Sequence, residues 1–187
     1  LVRLILGIDE ESKDSWKSNQ LVWHILEIMP DLLESSEAAP LKTWLKRHPP
    51  SPGQVNGEEW KLANKIANTF DDYSLYRPDK LAQWLSYKEH RSHKKINHPA
   101  QERWQSLLIR QLSEKLDDEP FGIQVKRATD QLKKGIPPAK RLPRQLHIFG
   151  LSSLAPVQVE LIQALSGLIN IKIFLLTPCR DLWQRCT

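Results

Sequence analysis

The hydrophobic pattern of this chain changes at Pro143, and that change limits the possible folds more than any other feature. Before it, apolar residues recur three or four positions apart, which is the spacing of amphipathic helices. After it, two short apolar runs, 145–149 and 169–176, flank a helical pattern over 157–165. A strand, a helix and a strand in such a short stretch predict a βαβ unit with two parallel strands.

The sequence therefore predicts the α/β class, with a mostly helical region at residues 1–143 followed by the βαβ portion at 144–187. Helices are predicted at the stretches that carry the helical spacing: 19–33, 40–47, 58–76, 78–85, 99–116 and 121–134. Pro30 predicts a kink in the first of these or its division, because proline removes a helix hydrogen bond. Loops are predicted where periodicity is absent or proline is dense: 49–53, 88–98 and 135–143. Four tryptophans near the apolar helix faces are predicted to pack in the core: Trp23, Trp44, Trp84 and Trp104.

Composition excludes several classes of protein. No apolar run reaches the roughly 18 residues that a membrane span needs. Cys179 and Cys186 have neither zinc-site spacing nor the number for a disulfide framework, so a reducing cytosol is expected. The apolar start, residues 1–6, meets Asp9 at once and does not resemble a signal peptide. The chain begins with Leu1 and stops soon after a predicted strand, so a piece of a longer protein is expected.

The charge balance is mildly basic, with a formal net charge of +5 and an isoelectric point near 9.2. Lysine and arginine concentrate in two stretches, 88–95 and 126–144, and such clusters attract phosphate groups. An ordinary solvated surface is the alternative interpretation. The tryptophans could stack unpaired bases, although core packing is the favoured interpretation for each.

Carboxylates and histidines give weak catalytic signals. Asp71 and Asp72 are adjacent, so on a helix their side chains point about 100° apart. A two-metal nuclease needs carboxylates that converge from several elements, so a capping or solvated pair is favoured. Three histidines lack the further ligands that a metal site requires, and one cysteine lacks the neighbouring base that a nucleophile requires: His90, His93, His98 and Cys179. We predict neither a catalytic residue nor a metal site in this chain.

The end of the first predicted strand is informative because it lacks an acid. In P-loop helicases, the strand after the helical insertion ends in Asp-Glu, which holds magnesium. Here the strand 145–149 runs into Gly150 and Leu151 without a carboxylate. The seven glycines also form no phosphate-binding loop motif. A helicase-like core in this chain would not hydrolyse ATP in the usual way.

Several motifs in the same order resemble the RecC family, the gamma subunits of the exodeoxyribonuclease V (RecBCD) helicase–nuclease. The resemblance covers about residues 18–183. It rests on Phe70-Asp71-Asp72-Tyr73, Tyr76-Arg77-Pro78-Asp79, Leu81 to Trp84, Trp104-Gln105, Leu142-Pro143, Phe149 to Pro156 and Asn170 to Trp183. Family segments upstream and the later helicase-like and nuclease-like domains are not in this chain, so an N-terminal fragment is expected.

The resemblance implies a fold and a function. The fold is part of a degenerate P-loop domain, similar to superfamily 1 helicases that have lost their ATPase motifs. The function is that of a non-catalytic, DNA-binding subunit for double-strand-break repair. It separates the strands of a duplex end and scans the 3′ single strand for a Chi-type hotspot. RecB-like and RecD-like partners complete the heterotrimer and hold ATP and Mg²⁺, whereas this chain holds no cofactor.

Four residues carry the DNA-binding prediction. Asp71 and Arg77 match the family's Chi-reading pattern, whereas Asn68 and Thr69 stand where that pattern has Asp and Leu. Arg77 can pair with a phosphate or a guanine edge. Asp71 can accept from a base amino group or orient Arg77. A structural salt bridge between the two is the alternative.

Two other functions remain open from the sequence. One is a helical adaptor that binds protein only, and the other is a metal-dependent nuclease that uses Asp71 and Asp72. Salt-dependent DNA binding distinguishes the first from a DNA-handling subunit. Magnesium-dependent cleavage of linear DNA would indicate the second, and we expect none.

Overall fold

In a computed structural model, the chain is described at residues 1–9, 14–48, 57–86, 100–151 and 153–176. Over these ranges the structure is mostly helical, with eight α-helices and one sheet of two parallel strands. The predicted parallel pair after a helical region is confirmed. The predicted loops at 49–53 and 88–98, together with His90, His93, His98, Cys179 and Cys186, lie outside the described residues.

The elements follow one another along the chain with short connections. They are α1 Val2–Leu6, α2 Ser18–Glu34, a 3-10 turn Ser36–Ala38, α3 Ala39–Arg47, α4 Gly57–Tyr76, α5 Pro78–Ser86, α6 Ala100–Lys115, α7 Phe121–Lys133, β1 Gln145–Phe149, α8 Pro156–Ser166 and β2 Asn170–Phe174. Each predicted helix is present with its ends within one residue of the prediction, and α1 was not predicted. No helix in the described ranges combines the length and the apolar character needed to cross a membrane.

The chain divides into two compact units. One, the helical unit, is Glu11–Gln124, and the other, the sheet unit, joins Leu1–Glu10 to Val125–Thr187. The predicted assignment of 1–143 and 144–187 to portions of a helicase-like domain stays a prediction.

The core of the helical unit forms between four helices. Helix α2 packs against α4 and α6, and α5 packs against the same two helices. The largest fully buried side chains include Leu21, Ile25, Trp84 and Leu108. Their burial supplies the main stabilisation of this unit, at about 1.5–3 kcal/mol for each large aliphatic side chain.

The tryptophan predictions had different outcomes. Trp84 is fully buried, and Trp44 and Trp104 are partly buried against the same core. The prediction for Trp23 was wrong, because 62% of this residue is exposed. The buried arc of α2 runs through Leu21 and Ile25, and Trp23 lies on the opposite side of the helix.

Helix α2 is continuous through Pro30, so the expected division is not observed, and the kink stays a prediction. Pro30 is on the exposed side of the helix, away from the core. The helix starts after Lys17 without a side-chain cap from that residue, and neither Ser18 nor Asn19 occupies the N-cap position.

The sheet unit is built on β1 and β2, which pair in parallel from Gln145 with Asn170 to Phe149 with Phe174. Helix α8 connects the two strands and buries Val157, Leu161 and Leu165. Alternate residues of β1 are half-buried, whereas the others are exposed, as expected for a strand covered on one face. The exposed face carries the stacked rings of Phe149 and Phe174, whose centroids are 4.5 Å apart.

Candidate nucleic-acid interface

All four candidate DNA-binding residues lie on residues 68–80, which we call the α4–α5 corner. Asn68, Thr69 and Asp71 belong to the last turns of α4, and Arg77 separates α4 from α5. Proline suits the first turn of a helix, where its missing N–H would have no partner, so Pro78 marks the start of α5 and the position of the corner.

The backbone of Arg77 forms hydrogen bonds with both helices. Its N–H donates to the carbonyl of Tyr73 at 2.8 Å, and its own carbonyl accepts from Lys80 at 3.1 Å and Leu81 at 3.3 Å. The residue therefore completes the last turn of α4 and begins the first turn of α5. These three bonds fix the point from which the guanidinium extends.

The Arg77 side chain is exposed and lies over an aromatic ring. Its guanidinium carbon is 5.3 Å from the centroid of the Tyr73 ring, and that ring is 6.2 Å from the buried Trp84 ring. A cation over a ring face is attracted by the ring quadrupole, so Tyr73 orients the guanidinium without using its N–H donors. Among the residues that the structure describes, Arg77 has no acidic partner.

Asp71 is directed to another helix. Its Oδ2 accepts a hydrogen bond from the Ser18 backbone N–H at 3.4 Å. The first N–H groups of a helix have no partner within that helix, so Asp71 caps α2 from a distant part of the sequence. Within the described ranges, Asp71 and Arg77 form no ion pair. The salt bridge between them, given above as the alternative, is therefore not observed.

Asn68 and Thr69 make only local hydrogen bonds within α4. The Asn68 amide donates to Asn64 Oδ1 at 3.3 Å, and the Thr69 hydroxyl donates to the Lys65 carbonyl at 2.8 Å. Asn68 is exposed, and Thr69 is half-buried. The amide of Asn68 can therefore reach a ligand, whereas the Thr69 hydroxyl already has its acceptor.

Two tyrosines belong to this site although sequence reasoning omitted them. Tyr73 lies under Arg77, and Tyr76 is 58% exposed beside it. The signal in the sequence is the spacing, since Tyr73 is four residues before Arg77 and residues at i and i+4 are neighbours on a helix.

The neighbouring cation and carboxylate have different environments. Lys80 forms an ion pair with Glu102 at 2.6 Å, and its Nζ lies 5.4 Å from the Trp84 ring centroid. Asp72 is exposed, whereas Asp71 faces α2. The two adjacent carboxylates thus diverge, as their helical spacing predicts. Over the described part of the chain, no three His, Cys, Asp or Glu side chains gather as metal ligands.

The end of α4 is held from its other side by the start of α7. The Gly122 N–H donates to the buried Ser74 hydroxyl at 2.7 Å. A Cβ on Gly122 would lie 1.4 Å from the Ser74 carbonyl oxygen, so glycine is required for this approach. The corner is thus built on a helix end that is fixed by packing.

Comparison with known proteins agrees with the motifs. The family model described as RecC, N-terminal domain, matches residues 1–187. The RecBCD enzyme subunit RecC of Escherichia coli K12 is 28% identical over 187 residues, which cover 97% of this chain and 16% of that protein. The corresponding subunit of Haemophilus influenzae is 24% identical, over 91% of this chain and 16% of its own length. That of Mycolicibacterium smegmatis is 27% identical, over 91% and 15%. The chain therefore spans a small part of the length of these relatives.

Proposed function

Because this chain belongs to the RecC N-terminal domain family, we propose that it is part of a DNA-handling subunit of a RecBCD-type exodeoxyribonuclease V. The subunit acts in recombinational repair of double-strand breaks and performs no hydrolysis itself. ATP and Mg²⁺ belong to RecB-like and RecD-like partner subunits. The carboxylate-free end of β1, at Gly150 and Leu151, supports a degenerate P-loop domain as the setting of the sheet.

The α4–α5 corner is the part of this chain that contacts DNA in the proposal. The observation that carries it is the exposed Arg77 guanidinium, oriented by Tyr73 and without an acidic partner in the described ranges. Such a group can donate two parallel hydrogen bonds to a phosphate or to the O6 and N7 atoms of guanine. Tyr76 offers an exposed ring on which an unpaired base can stack.

Asn68 and Asp71 have different parts in this proposal. Asn68 presents an exposed amide that suits an adenine edge, and it replaces the family's Asp. Asp71 chiefly holds α2 against α4, with one oxygen left to accept from a base. The subunit guides a separated 3′ strand past these side chains. Because Asn68 and Thr69 depart from the family pattern, it reads a different hotspot or none.

Fluorescence anisotropy with labelled single-stranded and forked DNA, repeated at several salt concentrations, tests this function. We expect Arg77→Ala to weaken binding by about tenfold, which is about 1.4 kcal/mol. Arg77→Lys should keep the salt dependence but lose part of the affinity, because lysine cannot form the paired hydrogen bonds. Lys46→Ala, which removes an exposed charge from α3, is the matched control and should bind like the unaltered chain.

Two results would contradict the proposal. Salt-independent or absent DNA binding would favour the protein-binding adaptor. Equal affinity of the Arg77→Ala and unaltered chains would exclude the corner as the contact.

Incubation of the purified chain with linear DNA and Mg²⁺ tests the nuclease alternative. We expect no cleavage, because Asp71 and Asp72 diverge. Magnesium-dependent cleavage that Asp71→Ala abolishes would replace the proposed function by a nuclease.

A further inference from the structure

One of the two basic stretches of this chain runs from the end of α7 to the start of β1. Residues 133–144 contain five basic residues and no acidic one: Lys133, Lys134, Lys140, Arg141 and Arg144. The formal net charge of the whole chain is also +5. The segment has the same net charge as the whole chain, and it lies within the sheet unit.

The backbone of this segment is fixed by hydrogen bonds at several points. The Gln131 amide donates to the Pro137 carbonyl at 2.9 Å, and the Asn170 N–H donates to the Arg144 carbonyl at 3.1 Å. Between them, the N–H groups of Ala139 and Lys140 donate to carbonyls of α1 at 3.0 and 2.9 Å. A binding surface on this segment would be preorganised, which reduces the entropy cost of binding.

The segment forms one wall of a groove of about 370 Å³. Three cationic side chains line it together with a proline-rich stretch and an apolar wall: Lys140, Arg141 and Arg144, then Pro138, Leu142 and Pro143, then Leu168 and Ile169. Leu168 is 56% exposed, so the apolar wall is accessible from solvent.

The cations of the groove differ in their partners. Lys140 Nζ lies 3.4 Å from Asp9 Oδ1 and 3.5 Å from the Ile8 carbonyl. Arg141 and Arg144 are exposed, and neither pairs with an acid within the described ranges. Lys133, at the edge of the segment, pairs with Glu160 at 3.3 Å. The two arginines therefore carry the positive potential of the groove.

We propose that this groove, the linker groove, binds the backbone of single-stranded nucleic acid. Arg141 and Arg144 contact successive phosphates, and Leu168 packs against a sugar or an unpaired base. A single strand fits better than a duplex because it offers both phosphates and apolar faces to one groove. The proposal rests on the DNA-handling function and adds a contact surface separate in sequence from the α4–α5 corner.

Anisotropy with a labelled oligonucleotide, measured against salt concentration, tests the linker groove in the 187-residue chain. The double variant Arg141→Ala/Arg144→Ala should bind at least about tenfold more weakly, which corresponds to about 1.4 kcal/mol. Its plot of log affinity against log salt should be less steep by about 1.4, since each phosphate contact on a single strand contributes about 0.7. Arg141→Lys/Arg144→Lys keeps both charges and should keep the slope.

A second pair of variants tests the apolar wall and the specificity of the charge effect. Leu168→Ala should weaken binding with little change in slope, because it removes contact area and no charge. Lys42→Ala/Lys46→Ala removes two lysines from α3 and is the matched control, with unchanged affinity expected. Unfolding curves of the arginine variants should match those of the unaltered chain, since both side chains are exposed.

The results separate this proposal from the proposed function. If Arg77→Ala weakens binding and the double arginine variant has unchanged affinity and slope, the linker groove is excluded and the function stands. If the double variant loses binding and Arg77→Ala does not, the groove stands and the corner is excluded. If the unaltered chain binds no DNA, both fail.

Discussion

At the scale of single residues, Gly122 and Ser74 determine how closely α7 approaches the end of α4. The Gly122 N–H donates to the Ser74 hydroxyl, and a side chain at Gly122 would overlap the Ser74 carbonyl. Sequence reasoning did not identify this glycine, because it has no conformational signature: only the position of Ser74, 48 residues earlier, makes it necessary.

We predict that Gly122→Ala destabilises the chain by about 3 kcal/mol or more, since the new Cβ would overlap the Ser74 carbonyl and the helices must separate. Gly167→Ala is the control, because nothing lies within 4 Å of its added Cβ and its φ of −75° suits alanine. Urea unfolding curves measure both changes. A loss for Gly122→Ala no larger than that for Gly167→Ala would contradict the close approach.

Tryptophans show what single-residue prediction can and cannot achieve. Trp84 follows the apolar spacing of its short helix and is fully buried, as predicted. Trp23 lies between apolar neighbours in sequence but 200° around the helix from Leu21, so it is exposed. The hydrophobicity of Trp23 suggested burial, but its angular position on α2 places it on the exposed side.

At the scale of elements, the start of α2 depends on a carboxylate from α4. Ser18 and Asn19 are the local residues whose type suits a helix cap. The structure instead provides Asp71, whose Oδ2 accepts from the Ser18 N–H. Helix ends were predicted within one residue because periodicity and proline mark them, whereas this cap depends on tertiary contact.

Substitution of Asp71 by alanine should therefore lower the free energy of unfolding by about 0.5–1 kcal/mol, the lower part of the range for loss of a helix cap. Asp72→Ala removes the same chemical group from an exposed position and should change stability by less than about 0.5 kcal/mol. Thermal unfolding followed by circular dichroism gives both values. Equal effects of the two substitutions would show that the Asp71 bond does not stabilise α2.

Helices α2 and α6 are also joined by an ion pair between Glu27 and Lys115. The hydrogen bond and charge of Lys115 hold the pKa of the Glu27 carboxyl below its ordinary value of 4.5. The folded state therefore binds this proton less readily than the unfolded state. The contribution of the pair is present above pH 4.5 and is lost as the pH falls through the lowered pKa.

We predict that Lys115→Met raises the pKa of Glu27 towards 4.5. Carboxyl carbon shifts in an NMR titration measure it directly. Glu27 is largely exposed, so the effect on overall stability should be small. An unchanged Glu27 pKa in the variant would show that Lys115 is not the cause.

Helix α1 is an element that the sequence did not predict. Residues 1–6 are a short apolar run from which no element was predicted. They form α1, and the carbonyls of Leu4 and Ile5 accept from the N–H groups of Lys140 and Ala139. Five residues are too few to form a stable helix alone, so contacts with a distant segment determine this one.

At the scale of the whole molecule, the change of pattern at Pro143 was the strongest guide. It predicted the parallel pair of β1 and β2 and their connecting helix, because two short apolar runs around a helical pattern differ clearly from the helical spacing before Pro143. The four candidate residues of the α4–α5 corner came from family resemblance. Their partners, Tyr73 for Arg77 and Ser18 for Asp71, required the three-dimensional structure.

We predict that the purified chain hydrolyses no ATP, with or without DNA and Mg²⁺. The residues after β1, Gly150 and Leu151, supply no carboxylate for the metal, and the sequence has no P-loop motif. A phosphate-release assay measures turnover. DNA-stimulated release that persists through further purification would contradict a non-catalytic subunit.

The charge of the segment 133–144 also governs how the chain meets other molecules. Apart from the five cations of this segment, the chain has 22 Lys and Arg against 22 Asp and Glu, so the formal charges of the remainder sum to zero. A distant polyanion is therefore attracted to this strip, whose charge exceeds the net +3 of the other basic stretch, residues 88–95. Long-range attraction steers diffusional encounters towards such a strip, and raising the ionic strength should slow capture before it affects any short-range fit.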